Sequence, residues 1–430
     1  MTSTIQPQPV GRQQSAPPAS IDEIRWPGLA GPGGSAVRAT IAEALFHAAV
    51  ARLPLTVRLP SGRTLGAGGP ADPQLLMYRP RSFYRRLGAG GLIGLGEGYM
   101  AGDWDSPDLT GLLSVFAGHV SELIPPWLQR LRRLAVRRHP AGDDPTPDGA
   151  RHNIHRHYDL SNDLFALFLD DTMTYSAALF GTGPDGAPAA ADHLLAEAQR
   201  RKIDRLLDRA GVGPGTRLLE IGTGWGELAI QAADRGAEVV TVTVSAEQQA
   251  LARRRIAAAG HGDRVRVELR DYREIDGQFD AIVSAEMIEA VGGHYWPSYF
   301  AALDRLLVPG GRVGLQAITM AHDRMLATRH TYTWIHKYIF PGGLIPSVTA
   351  IEDILGRTRL RISDRHDFGA HYAETLRLWR DRFTARADQV RPLGFDEVFC
   401  AMWTFYLCYS EAGFRSGYLD VCQLTLVKDQ

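Results

Sequence analysis

An apolar strand that ends in a glycine-rich turn is the feature that most constrains the fold of this chain. Residues 218–226 read Leu-Leu-Glu-Ile-Gly-Thr-Gly-Trp-Gly, and a helical pattern starts at Glu227. Glycines let the backbone adopt turn dihedrals and approach a ligand closely. The spacing is neither that of a phosphate-binding loop nor the Gly-x-Gly-x-x-Gly of a dinucleotide site. The turn therefore predicts a nucleotide-sized ligand and disfavours a dinucleotide.

Polar groups follow the next strand. Residues 239–244 (Val-Val-Thr-Val-Thr-Val) come about 20 residues after the turn, where a ribose-binding side chain is expected in a βαβ unit. This strand ends without an acidic residue, and Glu247 already belongs to the next helical pattern. Thr243 and Gln248 are therefore the candidates to hold a ribose.

Further apolar strands alternate with helical patterns. They are predicted at residues 265–269, 279–284 and 306–315. This alternation predicts an α/β fold with a doubly wound, parallel sheet. An alternating segment at residues 421–427 is predicted to be an antiparallel edge strand. Trp403, Phe405, Tyr406 and Tyr409 recur at helical spacing and are expected in a core.

Length and composition predict two domains. A chain of 430 residues is too long for one ordinary core. The predicted division is a disordered tail at 1–20, an N-terminal domain at 21–138, a turn-rich linker at 139–150 and a C-terminal domain at 151–430. The net charge of -1 does not favour nucleic acid as a partner. Three cysteines form no disulfide framework, and we expect no signal peptide and no membrane span.

A basic amphipathic helix is predicted at residues 126–138, at the end of the N-terminal domain. Its five arginines alternate with Trp127, Leu131 and Leu134 at helical spacing. Two interpretations stay open. The helix docks onto an anionic bilayer with Trp127 at the interface, or it connects the domains with its arginines in water.

Several longer motifs stand before, within and after the predicted strands, at residues 157–165, 169–176, 245–249, 286–292 and 338–343. Together they resemble the cyclopropane fatty acid synthase family of S-adenosylmethionine-dependent methyltransferases. The resemblance covers about residues 150–427, with a weaker match over 80–115. It implies a seven-stranded, Rossmann-like methyltransferase sheet with a smaller N-terminal α+β domain. It also implies transfer of a methyl(ene) carbon from S-adenosylmethionine to the cis double bond of unsaturated phospholipid acyl chains, giving a cyclopropane or a 10-methylene-type branch.

The resemblance also implies roles for particular residues. A bicarbonate ion that accepts the proton would be held by Glu289, Tyr372 and the backbone amide of Ile318. However, Ala177 stands where the family has a cysteine, and Gln316 stands where it has a histidine. These departures put bicarbonate in doubt, and direct proton transfer to Glu289 is the alternative. The predicted catalytic set is Glu289, Tyr372 and Gln316. The implied cofactor contacts are Tyr158, Tyr175, Ser176, Gly222, Gly224, Thr243 and Gln248.

Each of these side chains also has a structural interpretation. Glu289 could cap a helix, and Tyr372 could be a core aromatic. His294 and His371 are expected to be structural, and the histidines at 152, 155 and 157 lack the partners of a metal site, so no metal is predicted. The apolar segment at 319–346 suits either a wall for an acyl chain or ordinary helix packing.

The expected partner is unsaturated phospholipid at an anionic membrane surface, which places the protein in the cytoplasm, peripheral to the inner face of the cell membrane. The N-terminal domain would contact lipid or hold a homodimer together. Two rival functions stay open: methylation of a soluble small molecule, and lipid binding without catalysis.

Overall fold

The computed structural model describes residues 21–119 and 161–429, which form two compact units. The first unit contains residues 21–119 and 387–416, and the second contains residues 161–386 and 417–429. The predicted tail, basic helix and linker lie outside the described residues, as do Tyr158 and the three clustered histidines. These predictions therefore stay predictions.

The first unit is a small mixed sheet with helices packed beside it. Its strand order is β2-β1-β3-β4, in which β1 pairs parallel with β3 and the other two pairs are antiparallel. The strands are β1 (Thr56–Arg58), β2 (Thr64–Leu65), β3 (Gln74–Met77) and β4 (Trp104–Asp105), and the first helices are α1 (Ala36–Val50), α2 (Pro80–Gly90), α3 (Leu92–Met100) and α4 (Leu109–Gly118).

A long helix from near the C-terminus completes this first unit, which differs from the predicted domain division. This helix contains Phe405, whose ring centroid lies 5.5 Å from the ring centroid of Tyr99 and 6.5 Å from that of Trp104. The hydroxyl of Thr110 donates to the Glu411 carboxylate at 3.2 Å. Trp403, Phe405 and Tyr406 are buried, as expected, whereas Tyr409 is exposed. The second unit is therefore interrupted by residues 387–416, which the sequence analysis assigned to it.

The second unit is built on a seven-stranded sheet of order β10-β11-β9-β8-β5-β6-β7. Strands β9, β8, β5, β6 and β7 run parallel to one another, and β11 runs antiparallel to both of its neighbours. The predicted α/β class and seven-stranded sheet are confirmed. The strands are β5 (Arg217–Ile221), β6 (Glu238–Thr243), β7 (Val265–Leu269), β8 (Phe279–Ala285), β9 (Leu307–Thr319), β10 (Leu360–Asp367) and β11 (Asp420–Lys428).

Helices cover both faces of this sheet, with apolar cores on either side. None of the described helices in either unit has the length and apolar composition needed to cross a membrane. The remaining helices, numbered in chain order through both units, are α5 (Asn162–Ala166), α6 (Leu195–Ala210), α7 (Glu227–Asp234), α8 (Ala246–Ala258), α9 (Ile288–Val291), α10 (Trp296–Leu306), α11 (His322–Thr328), α12 (Trp334–Tyr338), α13 (Val348–Leu355), α14 (Gly369–Ala385), α15 (Ala387–Val390) and α16 (Glu397–Arg415).

The prediction that the last strand lies at the sheet edge is wrong. Strand β11 sits between β9 and β10, and its side chains are buried on both faces. Strand β10, which was not predicted, is the edge strand, and its exposed positions are Arg361, Ser363, Arg365 and Asp367. Charged residues on an edge strand discourage pairing with other chains. The charged residues of β10 interrupt the apolar alternation that would have predicted a strand there. The apolar alternation of β11 is compatible with an edge position and with an interior position, so it did not distinguish the two.

The apolar segment at 319–346 contains two short helices, α11 and α12. Met325, Trp334 and Ile339 are buried in the second unit. The amide of Leu344 donates to the backbone oxygen of Glu289 at 2.8 Å. None of these side chains lines the cavity at the glycine turn.

The interior position of β11 gives a stability prediction. Leu424→Ala should lower the free energy of unfolding by about 3 kcal/mol, because Leu424 is 1% exposed and the smaller side chain leaves a void. The control Arg361→Ala removes only an exposed ion pair with Asp429 and should change stability by less than about 0.5 kcal/mol. Urea unfolding measures both values, and equal losses would contradict the strand order.

Candidate active site

The glycine turn connects β5 to α7 at the carboxyl edge of the sheet. Gly222 has a φ of 99° and Gly224 a φ of 50°, which is left-handed backbone that favours glycine. A Cβ at Gly222 would also lie 2.6 Å from the Cγ of Met287. Ligands of open α/β sheets bind beside such carboxyl ends. The turn is therefore built for close approach of a ligand to the backbone.

A cavity surrounds this turn, and six of the seven predicted cofactor contacts line it. They come from the loop before α6, the turn itself, and the β6–α8 connection. The seventh, Tyr158, lies outside the described residues. The six are Tyr175, Ser176, Gly222, Gly224, Thr243 and Gln248.

The two candidates for ribose recognition contact each other. The Thr243 hydroxyl donates to Oε1 of Gln248 at 2.9 Å and accepts the Ser245 amide at 3.1 Å. This arrangement fixes the orientation of the Gln248 side chain, because its oxygen faces Thr243. The Nε2 group of Gln248 is then the donor that remains for a ligand hydroxyl.

A buried lysine, which the sequence analysis did not identify, lies at the wall of the same cavity. Lys202 Nζ donates to the Ser176 hydroxyl at 2.6 Å, and the side chain is 1% exposed. Burial lowers the pKa of Lys202 to about 8, while the charges of Glu286, Asp170 and Glu220 oppose that shift. Burial also raises the pKa of Glu220 to about 8, opposed by hydrogen bonding to Thr241 and by Lys202. The cavity wall therefore contains a compact group of buried ionisable side chains.

Glu286 is one of the acidic residues that line the cofactor cavity, and it follows strand β8 directly. Its Oε1 accepts the Ala177 amide at 2.9 Å and the Gln316 side-chain amide at 2.8 Å. Its Oε2 accepts the Tyr372 hydroxyl at 2.7 Å. Three donors from three separate segments therefore converge on one carboxylate.

The backbone at Glu286 is also unusual. Its φ is 53°, and Met173, with a φ of 54°, is the other residue besides glycine with a positive φ in the described part of the chain. Both residues line the cavity. Such conformations cost about 1 kcal/mol or more and cluster at functional sites. This strain, together with the three donors, marks Glu286 as a functional candidate.

The predicted catalytic residues surround Glu286 and do not themselves line the cavity. Gln316 and Tyr372 bind Glu286 directly. Glu289 accepts the Ile318 amide on Oε1, while its enclosed Oε2 has no hydrogen-bond partner among the described residues. The structure thus brings Glu289, Gln316, Ile318 and Tyr372 together, as predicted, but among these neighbours it is Glu286 that lines the cavity.

The two carboxyl groups have different electrostatic surroundings. Burial raises the pKa of Glu289 to about 8, and the charge of Glu286 raises it further. Burial also raises the pKa of Glu286, but the Ala177 amide, the Tyr372 hydroxyl, Lys202 and Gln316 act against that shift. Donors and a nearby cation favour the charged form of a carboxyl group. These donors and Lys202 therefore favour the carboxylate form of Glu286, whereas Oε2 of Glu289 has no donor among the described residues.

The residues expected to hold bicarbonate do not fit that ion in this structure. The Gln316 and Tyr372 side chains donate to Glu286, and the Ile318 amide donates to Glu289. A second anion would meet the charge of Glu286 and find these donors already engaged. The implied bicarbonate site is thus replaced by a carboxylate of the chain itself. Sequence could have indicated Glu286 only through its place directly after a buried strand.

The other singled-out histidines are not in the cavity. His371 Nδ1 accepts the Phe180 amide at 3.1 Å, and burial lowers the pKa of His371. His294 is exposed and packs edge-on against Tyr295. Neither side chain contacts Glu286.

A glycine turn and polar strand ends at the carboxyl edge of a seven-stranded, mostly parallel sheet define a methyltransferase that uses S-adenosylmethionine. The model of one family, mycolic acid cyclopropane synthetase, matches residues 146–424. The chain belongs to this family, whose members act on unsaturated fatty acyl chains.

Relatives and solved structures agree with this assignment. The chain is 58% identical to tuberculostearic acid methyltransferase UfaA1 of Mycobacterium tuberculosis, over 96% of this chain and 97% of that one. It is 34% identical to the cyclopropane-fatty-acyl-phospholipid synthase of Escherichia coli K12, over 85% and 90%. The crystal structure of mycolic acid cyclopropane synthase CmaA1 with SAH and CTAB is 33% identical and has a TM-score of 0.58, covering 65% of this chain and 98% of that one.

The glycine turn gives a binding prediction. Gly222→Ala should weaken binding of S-adenosylhomocysteine about tenfold or more, because the new Cβ would meet Met287 and strain the left-handed backbone. Isothermal titration calorimetry measures the affinity. In the control Gly260→Ala the φ is also positive, at 82°, but no atom lies within 4 Å, so binding should not change. Wild-type affinity in Gly222→Ala would show that the turn does not contact the cofactor.

The raised pKa of Glu289 gives a stability prediction. In the unfolded chain this carboxyl group ionises near its ordinary pKa of 4.5, but in the folded protein near 8, so folding loses stability as the pH rises between these values. Glu289→Gln keeps an acceptor for the Ile318 amide and removes this loss. We expect nearly equal unfolding free energies near pH 4 and a gain of about 5 kcal/mol for the variant at pH 9, because one pKa unit corresponds to about 1.4 kcal/mol.

Urea unfolding across this pH range checks the result. The exposed control Glu352→Gln should track wild type at every pH. If Glu289→Gln also tracked wild type, Glu289 would titrate normally in the folded protein.

Proposed function

We propose that this enzyme methylates the cis double bond of unsaturated acyl chains in membrane phospholipid, giving an open-chain, methylene-branched product, with Glu286 as the base. The observation that carries this proposal is the position of Glu286: a carboxyl group at the cofactor cavity that accepts three hydrogen bonds, in place of the expected bicarbonate site.

Similarity to the relatives supports the substrate class. The E. coli relative is named a cyclopropane-fatty-acyl-phospholipid synthase, which supports an acyl chain esterified in phospholipid. The more similar mycobacterial relative is named a methyltransferase of tuberculostearic acid, and not a cyclopropane synthase. This naming agrees with the departures at Ala177 and Gln316 and favours an open-chain product.

Methylation of the double bond requires a group that accepts a proton more than a group that activates the alkene. S-adenosylmethionine supplies an electrophilic methyl group. When an alkene carbon of the acyl chain accepts that methyl group, the neighbouring carbon becomes a cation. A negative charge held beside the cavity stabilises this cation. Glu286 is such a charge, and it needs no reorganisation because its three donors already hold it in place.

Two routes from this cation lead to different products. Loss of a proton from the new methyl group with ring closure gives a cyclopropane. If a hydride first shifts from the methyl-bearing carbon to the cation, loss of a methyl proton gives an exocyclic methylene group instead. In both routes one proton passes from the methyl group to the base, so the atoms and charges balance. The name of the mycobacterial relative and the departures at Ala177 and Gln316 favour the second route.

The neighbouring side chains have supporting tasks in this proposal. Tyr372, Gln316 and the Ala177 amide hold Glu286 as a carboxylate. Glu289, protonated behind it, limits the negative charge in the site. We also infer that the enzyme works peripherally at the inner face of the cell membrane, because the phospholipid must be reached in a bilayer and the predicted basic helix at 126–138 suits anionic headgroups.

The test is to incubate the enzyme with S-adenosylmethionine and anionic phospholipid vesicles that carry oleoyl chains. We expect fatty acid methyl esters heavier by one CH2 that co-elute with a methylene-branched standard in gas chromatography with mass detection. The rate should be the same in carbonate-free buffer. Cyclopropane as the product would overturn the open-chain assignment. No acyl product from enzyme that binds the cofactor would favour a soluble acceptor or lipid binding alone.

Glu286→Gln tests the base. The amide keeps a similar shape but cannot accept the proton, so the rate should fall about 100-fold or more while S-adenosylhomocysteine still binds. The control Glu352→Gln, at an exposed position on α13, should keep the wild-type rate. An active Glu286→Gln enzyme would exclude Glu286 as the base.

A further inference from the structure

A line of side-chain hydrogen bonds runs from α6 through the sheet to Glu286. Arg205 Nη1 donates to Oε1 of Gln423 at 2.8 Å. Gln423 Nε2 donates to Oε1 of Gln316 at 3.1 Å. Gln316 Nε2 then donates to Glu286 at 2.8 Å. Gln423 and Gln316 lie directly opposite each other in the pairing of β11 with β9. The line therefore connects a partly exposed arginine to the proposed base.

The chemistry of the end groups sets the direction of every bond in this line. A guanidinium group only donates, so the oxygen of Gln423 must face Arg205. A backbone carbonyl only accepts, and Gln423 Nε2 also donates to the carbonyl of Lys202 at 3.0 Å. Both ends of the Gln423 amide are therefore determined. Its N–H group faces Gln316, so the oxygen of Gln316 faces Gln423 and its amide N–H group faces Glu286.

This orientation affects the ionisation of Glu286. A proton on Oε1 would meet two donors, the amides of Gln316 and Ala177, so Oε1 must be an acceptor. If the Gln316 amide rotated by 180°, its oxygen would face Oε1, and a proton between the two oxygens would become favourable. The other groups that face Glu286 are Lys202, which favours its charge, Tyr372, which donates to Oε2, and Glu289, which opposes its charge when ionised.

We propose that Gln423 is a positioning residue that holds the Gln316 amide as a donor toward Glu286 and so keeps Glu286 an ionised base. This inference rests on the proposed role of Glu286. Gln423 itself is 2% exposed, does not line the cofactor cavity and acts only through Gln316. Arg205, which also pairs with Asp364 at 3.0 Å, contributes by fixing Gln423.

Gln423→Glu tests the direction of the line. The new carboxylate would accept from both Arg205 and Gln316, so the Gln316 amide would turn its oxygen toward Glu286. We expect the methylation rate at neutral pH to fall about tenfold or more, and the acid limb of the pH–rate profile to move to higher pH. Affinity for S-adenosylhomocysteine should stay within about twofold of wild type. The control Thr425→Val, two residues along the same strand, should keep the wild-type profile.

A double-mutant cycle separates positioning from a general effect on the fold. In a Gln316→Leu background there is no amide to orient, so adding Gln423→Glu should change the remaining rate less than about twofold. If the loss were as large in that background as in wild type, Gln423 would not act through Gln316 and the proposal would be wrong. An unshifted pH–rate profile in the single variant would overturn it too.

Two further measurements keep the outcomes distinct. If Gln423→Glu does not fold, Arg205→Met is the alternative variant, because it removes the donor that fixes Gln423. It should shift the acid limb of the pH–rate profile in the same direction by a smaller amount. An unshifted profile in Arg205→Met would refute the proposal. Wild-type enzyme on oleoyl vesicles is measured first. Absence of acyl product there contradicts the proposed function, whereas an active wild type with an unshifted variant contradicts only the role of Gln423.

Discussion

The hydrogen bonds from three donors to the Glu286 carboxylate are the interaction on which the rest of this site depends. A carboxylate removed from water is costly unless hydrogen bonds and a cation compensate. Here the donors come from the Ala177 backbone, from Gln316 in β9 and from Tyr372 in α14, and Lys202 lies nearby. Only a folded second unit brings these groups together. The strained backbone at Glu286 is retained because the surrounding strands hold it.

The order of the strands has consequences for the same carboxylate. Because β11 lies between β9 and β10, its Gln423 stands opposite Gln316 with a strand on either side of β11. If β11 were the edge strand, the Gln423 amide would be exposed to water, which can donate to or accept from either end of the amide. In the interior, a chain of side-chain amides has one favourable orientation, since each buried polar group needs its own partner. The antiparallel strand thus contributes to the electrostatics of the site as well as to the core.

Much of the fold could be predicted from local pattern. The strands at 217–221, 238–243, 265–269 and 279–285 agree with the predictions to within about two residues, because each is a short apolar run between turn or helix signals. Strand β10 was missed because its charges mask the period. Helix α16 was assigned to the wrong unit, because its aromatic residues show that it is buried but not which partners bury it.

The residues of the candidate site were likewise predicted only in part. Six cofactor contacts line one cavity: four lie at or just after the ends of the neighbouring strands β5 and β6, and two lie in the loop before α6. Glu289, Gln316, Ile318 and Tyr372 come together as expected, but Glu286 was overlooked. Nothing in the order of residues 286–289 shows which of two carboxyl groups turns toward the cavity. That choice depends on the left-handed backbone at Glu286 and on donors that come from far along the chain.

The amino-acid sequence by itself determined the class of fold, the cofactor and the family, because the glycine turn, the alternation of strands and helices, and the motifs around them are local. The tertiary structure alone decided which carboxyl group receives three hydrogen bonds at the cavity, which groups donate them, and why bicarbonate does not fit. The physical reason is that ionisation depends on burial and on the donors and charges within a few ångströms. Residues as distant in the chain as Ala177, Glu286, Gln316, Tyr372 and Gln423 become neighbours only when the sheet is assembled.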